Sequence, residues 1–363
     1  MLFRQFFHYL LVLLPITSFA TETFDSSLES ELLQNIQQIT FVEMGFEKAG
    51  EGYFSPDGKT IIFQAVPLGQ NNYQIYTLDL DQKTPQMVST GFGACTCANF
   101  HPTKNKIIFA SSHEDPGLND PDFYLSIPGY KREGGSYSWD FTPYMNIYEA
   151  NVDGSDLKSL TTGVAYHAEC AYSHDGSKIV FAGNQNGSMQ IYTMNEDGTD
   201  VFQVTHTNCY NGGPFFSPDT QEIIFRADPD KADYLQVYII KADGSSVKQM
   251  TKNNAVNWAP YWHPSGEFFC FTRSLHGHRH YELYLMDVNT AETKRLTHNA
   301  TFDGLGVFSP DGKKILWTSK RGADSTSQLF LADFKGFEKF DSRFLPAANA
   351  AKACSHGCKP VVK

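Results

Sequence analysis

The sequence predicts an all-β fold, a six-bladed β-propeller with four antiparallel strands per blade whose ring is closed by the N-terminal strand. Two observations predict it: a short motif that recurs at a nearly constant period, and a last repeat that lacks one strand. The motif first occurs as Phe-Ser-Pro-Asp-Gly-Lys at residues 54–59, just before the apolar run Ile-Ile-Phe at residues 61–63. A fixed period of a few tens of residues is typical of solenoids and propellers.

Six versions of the motif occur along the chain. We use the serine of the motif, or the residue that replaces it, as a reference position: Ser55, His101, Ser173, Ser217, His263 and Ser309. Successive reference positions are 46, 72, 44, 46 and 46 residues apart. Only the second repeat therefore carries an insertion.

Turn chemistry predicts the strands within a repeat. Proline fixes φ and glycine allows a positive φ, so Ser-Pro-Asp-Gly joins two strands as a hairpin. A third strand follows, as at residues 74–76, then a second turn, as at Asp153-Gly154, and a fourth strand that ends in an apolar residue and threonine, as at Leu160-Thr161. Four antiparallel strands in such a unit make a propeller blade.

The strand count predicts how the ring closes. The sixth repeat has no apolar-Thr ending, whereas residues 38–40, Gln-Ile-Thr, match that ending before the first repeat begins. The N-terminal strand therefore completes the last blade, with Ile36, Ile39 and Phe41 as its buried side chains, and leaves no open edge. Residues 21–36 are a lead-in with a short helix over 27–35, the propeller spans 37–345, and 346–363 form a disordered tail.

The first 20 residues are a predicted signal peptide. They contain one charged residue, Arg4, an apolar run at 9–14, and Ala20 before a polar stretch. The alternative is an anchor helix that stays in the membrane. With the signal cleaved, we expect a periplasmic or secreted protein with no transmembrane segment, in which all seven cysteines remain.

The charge balance narrows the class of partner. The chain has 29 Lys and Arg against 40 Asp and Glu, a formal net charge of −11. Such a surface disfavours binding to a nucleic-acid backbone. A neutral or cationic partner, bound by a monomeric propeller, is the expectation.

The repeat resembles a known family. Ser-Pro-Asp-Gly-Lys-x-Ile-x-Phe, followed by Ile-Tyr-x-Met and by Asp-Gly before Leu-Thr, is similar to the TolB-type β-propeller repeat proteins of bacterial envelopes, over residues 37–334. The resemblance implies a non-catalytic module that binds an envelope protein, a peptide or a glycan at the mouth of the channel. In TolB an α/β domain precedes the propeller; only about 16 residues lie between Ala20 and the closing strand here, so the role of that domain is not carried over.

The same motif also resembles two kinds of enzyme. Peptidases of the prolyl-oligopeptidase type need a hydrolase domain, and we find no Gly-x-Ser-x-Gly elbow for it. Oligogalacturonate lyases are propellers that use a metal held by histidine, and His167 occupies a suitable position. A metal-dependent polysaccharide-processing enzyme is therefore the alternative to the binding module.

Polar residues recur where the first strand of each repeat enters the channel. Six places before the reference position come Ala49, Cys95, His167, Asn211, Asn257 and Asp303, and four places before it come Glu51, Cys97, Glu169, Gly213, Ala259 and Leu305. Strand alternation predicts that both sets point the same way. His167, Glu169 and Asp303, with Glu51, are then candidate ligands for a divalent cation. The alternative is a water-filled channel whose polar lining satisfies itself.

Two loops are expected on the same face. The insertion at residues 113–145 is rich in aromatic residues, of which Trp139 and Tyr144 are the candidate partner contacts. The alternative is that they only pack across the propeller. His276, His278 and His280 form the densest histidine cluster, in a loop that we interpret as solvated.

Overall fold

The structure is a computed structural model, and it describes residues 26–120, 142–275 and 278–336. Within these ranges the regular structure is β-strand, apart from three short 3-10 helices at Ser26–Glu31, Val42–Met44 and Pro116–Leu118. No helix among them has the length and apolar composition needed to cross a bilayer. The predicted signal peptide at 1–20 and the predicted tail at 346–363 lie outside the described residues.

Four sheets have the form of a propeller blade, with four antiparallel strands each. The first contains β2 (Phe46–Phe54), β3 (Thr60–Pro67), β4 (Gln74–Asp79) and β5 (Pro85–Met87). The second contains β14 (Asn211–Phe216), β15 (Glu222–Ala227), β16 (Gln236–Lys241) and β17 (Lys248–Gln249). The third contains β18 (Val256–Trp262), β19 (Phe268–Ser274), β20 (Glu282–Asp287) and β21 (Thr293–Arg295). The fourth contains β1 (Leu33–Gln38), β22 (Asp303–Phe308), β23 (Lys314–Ser319) and β24 (Gln328–Phe334).

The remaining strands belong to one eight-stranded sheet, so the prediction of a six-bladed propeller is wrong: four sheets, and not six, are separate four-stranded blades. The large sheet contains β6 (Cys95–Phe100), β7 (Lys106–Ser111), β8 (Tyr144–Asn151), β9 (Lys158–Ser159), β10 (Ala165–Tyr172), β11 (Lys178–Gly183), β12 (Gln190–Asn195) and β13 (Phe202–Gln203). β8 begins at Tyr144, two residues before the position where the corresponding strands begin. These extra residues pair in parallel with β10, Ala165 with Tyr144 and Tyr166 with Met145, and join two repeats into one sheet.

The N-terminal strand does pair with the last strand of the chain. β1 lies antiparallel to β24, with Leu33 opposite Phe334 and Gln38 opposite Phe330. The strand occupies part of the predicted lead-in, and a 3-10 helix replaces the helix expected over 27–35. Ile39 is buried as predicted, but Ile36 and Phe41 are exposed, because Leu32 and Leu33 supply the apolar side chains of this segment.

The motif turns form as their chemistry predicts. In the first, Ser55 Oγ donates to Asp57 Oδ1 at 2.6 Å, the N–H of Lys59 donates to the same oxygen at 3.1 Å, and Gly58 has a φ of +70°. Because strand direction alternates, these turns lie on one face of the propeller, which we call the turn face. The loops that enter each first strand and that join second to third strands lie on the opposite face, which we call the loop face.

Candidate functional site

The first strand of each repeat contains a β-bulge, and this bulge positions the channel residues. The register slips at the same place in β2, β6, β10, β14, β18 and β22. The residue four places before the reference position has a left-handed φ in every case: Glu51 (47°), Cys97 (55°), Glu169 (54°), Gly213 (57°), Ala259 (48°) and Leu305 (57°). A bulge re-aims the side chain that it contains. Simple alternation along the strand therefore does not hold, and the two predicted sets of polar residues have different surroundings.

The predicted residues six places before the reference position are buried between sheets. His167, Asn211, Asn257 and Asp303 are at most 6% exposed. His167 Nδ1 donates to Asn146 Oδ1 at 3.0 Å, and Asn257 Nδ2 donates to Gln236 Oε1 at 3.1 Å. Asn211 Nδ2 donates to Thr207 Oγ1 at 2.6 Å. Their polar groups are used by neighbouring strands and loops, as buried polar groups generally are.

The three candidate metal ligands each have a different protein partner. His167 bonds Asn146, Glu169 forms an ion pair with Arg226, and Asp303 pairs with Arg321 at 2.5 Å while accepting from Trp317 Nε1 at 3.0 Å. In the part of the chain that the structure describes, no three His, Cys, Asp or Glu side chains are grouped so that they could hold one metal ion. The structure therefore does not bring this set together as a metal site.

Glu51 and Glu169 lie near enough to each other for their charges to interact. Glu51 Oε1 accepts a long hydrogen bond of 3.3 Å from Tyr53 Oη, and its carboxyl group also bonds the thiol of Cys97. Burial raises the pKa of Glu51 to about 7, and the negative charge of Glu169 adds to the shift. Glu51 therefore titrates well above the range of an ordinary carboxyl group.

Glu169 forms an ion pair with Arg226, whereas Glu51 forms no ion pair with a described residue; the charge of Arg226 lowers the pKa of Glu51 less than burial raises it. Arg226 Nη2 bonds Glu169 Oε1 and also donates to Tyr210 Oη at 2.7 Å. The second oxygen of Glu169 accepts from the N–H of Gly213 at 2.7 Å. The cluster formed by Glu51, Glu169 and Arg226, which we call the channel cluster, thus has one net negative charge when Glu51 is ionised.

Two glycines leave space for this arrangement. A Cβ atom on Gly213 would overlap Arg226 Nη1, and one on Gly212 would overlap Tyr210 Oη and lie 2.7 Å from Glu169 Oε2. Gly213 also has a left-handed φ, which L side chains rarely adopt. Gly213 is therefore required by the close approach of Arg226, and Gly212 by that of Tyr210 and Glu169.

Three aromatic rings meet across the channel. Each lies two residues after the bulged position of its strand, towards the turn face. The ring centroids of Tyr53 and Phe215 are 5.7 Å apart, those of Tyr53 and Tyr261 6.1 Å, and those of Phe215 and Tyr261 4.9 Å. On the turn-face side, Phe215 and Tyr261 line a separate cavity of about 230 Å³. The rings therefore form a floor between the channel cluster and the turn face.

The predicted loop contacts are only partly described. Tyr144 is the first residue of β8 and is half-buried, while Trp139 lies outside the described residues. His278 and His280 are exposed, and His278 Nδ1 lies 2.7 Å from Tyr281 Oη; His276 is not described. Among the described residues, neither His278 nor His280 is grouped with the channel carboxylates as a possible metal site.

A family model for the TolB beta propeller domain matches residues 140–231 and 236–356, more than half of the chain. The chain belongs to the TolB β-propeller domain family. No curated protein matches it in sequence.

Solved structures are similar to this TolB-type propeller in fold. A putative TolB from Agrobacterium tumefaciens has 20% sequence identity and a TM-score of 0.56, with 80% of this chain and 91% of the other covered. TolB from Acinetobacter baumannii has 18% identity and a TM-score of 0.53, with 80% and 64% covered. An oligogalacturonate lyase from Vibrio parahaemolyticus has 12% identity and a TM-score of 0.52, with 82% and 93% covered. Identities this low show the shared fold alone.

Sequence reasoning missed the arginine of the site in this TolB-type propeller. Arg226 lies on the second strand of its repeat, at a position where the other repeats have Gln64, Ala110, Ala182, Thr272 and Thr318. An alignment of the six repeats shows this signal: only the fourth repeat has a charged residue at this position, on the strand that pairs with Gly212-Gly213.

Proposed function

We propose that this TolB-like propeller is a non-catalytic binding module that takes an envelope protein, a peptide or a glycan at the loop-face end of its channel. One observation carries the proposal: the channel holds a polar cluster that is incompletely neutralised, next to three aromatic rings that pack against one another. Concave sites with apolar walls and a few convergent polar groups are where proteins bind ligands. In this proposal, a side chain or a sugar unit of the partner inserts from the loop face as far as the three rings.

The chemistry of the cluster supports binding more than catalysis. Glu169 and Arg226 neutralise each other, and Tyr210 and Gly213 hold them in place. Glu51 has only weak partners. Within the described ranges, no grouping of metal ligands supports the alternative of a metal-dependent polysaccharide-processing enzyme.

The setting of the module also belongs to the proposal. We infer a periplasmic or secreted, monomeric protein, on the basis of the apolar N-terminal segment and the family. The net charge of −11 favours a neutral or cationic partner.

The test is to select ligands without assuming their identity. A phage-displayed random peptide library and a glycan array are presented to the full chain, and the ligands found are measured against variants of each face. Tyr73, the residue before β4, and Tyr144, the first residue of β8, lie at the loop-face ends of their strands, so Tyr73→Ala and Tyr144→Ala alter the loop face. Pro56→Ala and Pro264→Ala alter the turn-face cavity.

We expect the loop-face variants to lose at least about tenfold in affinity, which corresponds to about 1.4 kcal/mol, while the turn-face variants keep binding. Unchanged melting temperatures are the control for folding. Equal loss on both faces, or no selected ligand, would contradict the proposal.

A further inference from the structure

We propose that Glu51 is the acceptor for a primary ammonium group, such as that of a lysine side chain, which the partner inserts into the channel from the loop face. This rests on the proposed function, since it names the chemistry by which that same site recognises its partner. Three separate features of the channel point to a cation.

The first feature is the distribution of charge. Arg226 is the cation of the channel cluster, and it is used by Glu169 and Tyr210. The Glu51 carboxyl group has no ion pair within the described part of the chain, although it is only partly accessible to water. A carboxylate in such a place is stabilised by a cation that arrives with a ligand.

The second feature is the set of acceptors around Glu51. An ammonium group carries three N–H donors and no acceptor. Among the described residues, the Glu51 carboxyl group is bonded by Tyr53 Oη, in a long bond of 3.3 Å to Oε1, and by the thiol of Cys97, so it can accept further hydrogen bonds. The oxygen of Tyr53, which donates to Glu51 Oε1, can accept as well. Two oxygens on neighbouring side chains suit a compact ammonium group better than the flat, five-donor fork of a guanidinium.

The third feature is the aromatic floor. Tyr53 is both the hydrogen-bond partner of Glu51 and one of the three rings of the floor, with Phe215 and Tyr261. Aromatic faces attract cations, and the attraction is larger where water is excluded. The carboxyl group attracts a cation by its charge and the aromatic rings by their π electrons, so both favour an ammonium group.

A comparison of the bulge positions in the six repeats supports Glu51 as the acceptor of the ammonium group. Every repeat has the bulge, yet only the first and third repeats carry a carboxylate on it, Glu51 and Glu169. Glu169 is held by Arg226 from the next repeat, whereas the corresponding position next to Glu51, on the second strand of its own repeat and of the following one, is Gln64 and Ala110. The ring therefore supplies a cation to one of its two channel carboxylates.

The experiment uses two peptides that differ only in the charged group. Acetyl-Gly-Lys-Gly-amide and acetyl-Gly-norleucine-Gly-amide have the same aliphatic stem, and their binding to the full chain is measured by calorimetry or NMR titration at pH 8. We expect the lysine peptide to bind at least tenfold more tightly than the norleucine peptide. Glu51→Gln removes this preference, and Glu43→Gln, which neutralises an exposed carboxylate, keeps it.

Glu51→Asp is the second variant, because it keeps the charge but withdraws it by one methylene group. We expect it to retain a reduced preference for lysine. The inference is overturned if wild type binds both peptides equally, if it binds neither, or if Glu51→Gln still prefers lysine.

The same variants separate this inference from the proposed function. Library ligands that depend on Tyr73 and Tyr144 but bind Glu51→Gln as well as wild type would overturn the ammonium site alone. A lysine preference that depends on Glu51, together with no ligand that depends on the loop face, would overturn the binding module and leave the ammonium site standing.

Discussion

At the residue scale, Glu51 brings together a left-handed backbone, a partly accessible carboxyl group and a raised pKa. Its pKa is raised because burial disfavours the charged form, and the nearby charge of Glu169 disfavours it further. A raised carboxyl pKa means that the folded protein binds this proton more tightly than the unfolded chain does. Folding therefore becomes less favourable as pH rises from the unfolded pKa, near 4.5, to the folded value of about 7.

The direction of this pH dependence predicts the effect of Glu51→Gln on the free energy of unfolding. The variant keeps the shape and removes the charge, so we expect it to unfold at a higher temperature than wild type at pH 8 and at nearly the same temperature at pH 4. The gain at pH 8 is at most about 3 kcal/mol, from about 1.4 kcal/mol per unit of pKa shift.

Glu282, whose pKa burial and the charge of Asp303 raise to about 8, titrates in wild type and variant alike. The difference between their unfolding curves therefore isolates Glu51. A destabilised Glu51→Gln protein at pH 8 would show that the carboxylate is satisfied within the fold, contrary to its role as a vacant acceptor.

Gly213→Ala tests whether the channel cluster depends on the absence of a side chain. The added methyl group overlaps Arg226 and requires a left-handed alanine, which by itself costs about 1–2 kcal/mol. We expect a larger loss of unfolding free energy than this, together with a changed pKa of Glu51 measured by NMR. Gly69→Ala is the matched control, since Gly69 has a similar φ of +74° but has nothing within 4 Å of an added Cβ. Equal losses in the two variants would mean that the fit against Arg226 adds nothing.

At the scale of the element, the motif turn is where sequence reasoning succeeded most fully. Serine, aspartate and glycine each have a local role that does not depend on the rest of the fold: Ser173, for example, donates to Asp175 at 2.6 Å, as Ser55 does to Asp57. The sequence also predicts the partner of the last strand, because β24 needs an edge partner and β1 supplies it. Local chemistry and strand counting were enough for both.

The bulge and the joined sheet could not be predicted in the same way. The bulged position is occupied by residues as different as Glu51, Ala259 and Leu305, so composition gives no sign of it. The eight-stranded sheet depends on two extra residues at the start of β8, next to an insertion whose length alone does not specify pairing. As a result, the channel residues Glu51 and Glu169 were predicted, while the surroundings of His167 and its equivalents were not.

Thr220 is unusual among the motif turns and allows a prediction about them. Four of the other five turns have a glycine with φ near +70° at the corresponding position, at residues 58, 176, 266 and 312, and the second has Lys104 without a positive φ, whereas Thr220 adopts +64° with a β-branched side chain. β-Branched residues are outliers in this region. Thr220→Gly is expected to raise the free energy of unfolding by about 1 kcal/mol.

Chemical denaturation of the variant measures this gain. In the reverse change, Gly58→Thr, the new Cβ lies in ordinary van der Waals contact, 3.8 Å from Pro310 Cδ, and the variant should lose a similar amount of stability. Unchanged stability in both variants would show that the turns tolerate a left-handed threonine without strain.

At the scale of the whole molecule, the ring is held closed by charge as well as by the β1–β24 pairing. Glu29, in the N-terminal 3-10 helix, is almost completely buried, and it accepts two hydrogen bonds of 3.0 Å from Arg321. Arg321 also pairs with buried Asp303, and Glu29 accepts from the N–H of His298 at 2.6 Å. This buried network joins the N-terminal segment to the last two repeats of the chain.

Arg321→Met tests how much of the closure depends on this network. Methionine keeps the apolar stem but leaves Glu29 and Asp303 buried without their cation, and breaking a buried pair in this way typically costs about 3–5 kcal/mol. Lys294→Met is the matched control, because it removes a lysine that pairs with Glu31 at 3.1 Å on the surface, where a pair contributes about 0–1 kcal/mol. We expect a large loss of stability in the first variant only, accompanied by faster hydrogen exchange at the amides of β1 than at those of β15. If hydrogen exchange rises equally in β1 and β15, the network stabilises the whole molecule and not the N-terminal segment in particular. If Arg321→Met has the same melting temperature as Lys294→Met, closure of the ring depends only on the β1–β24 pairing and the buried Leu33.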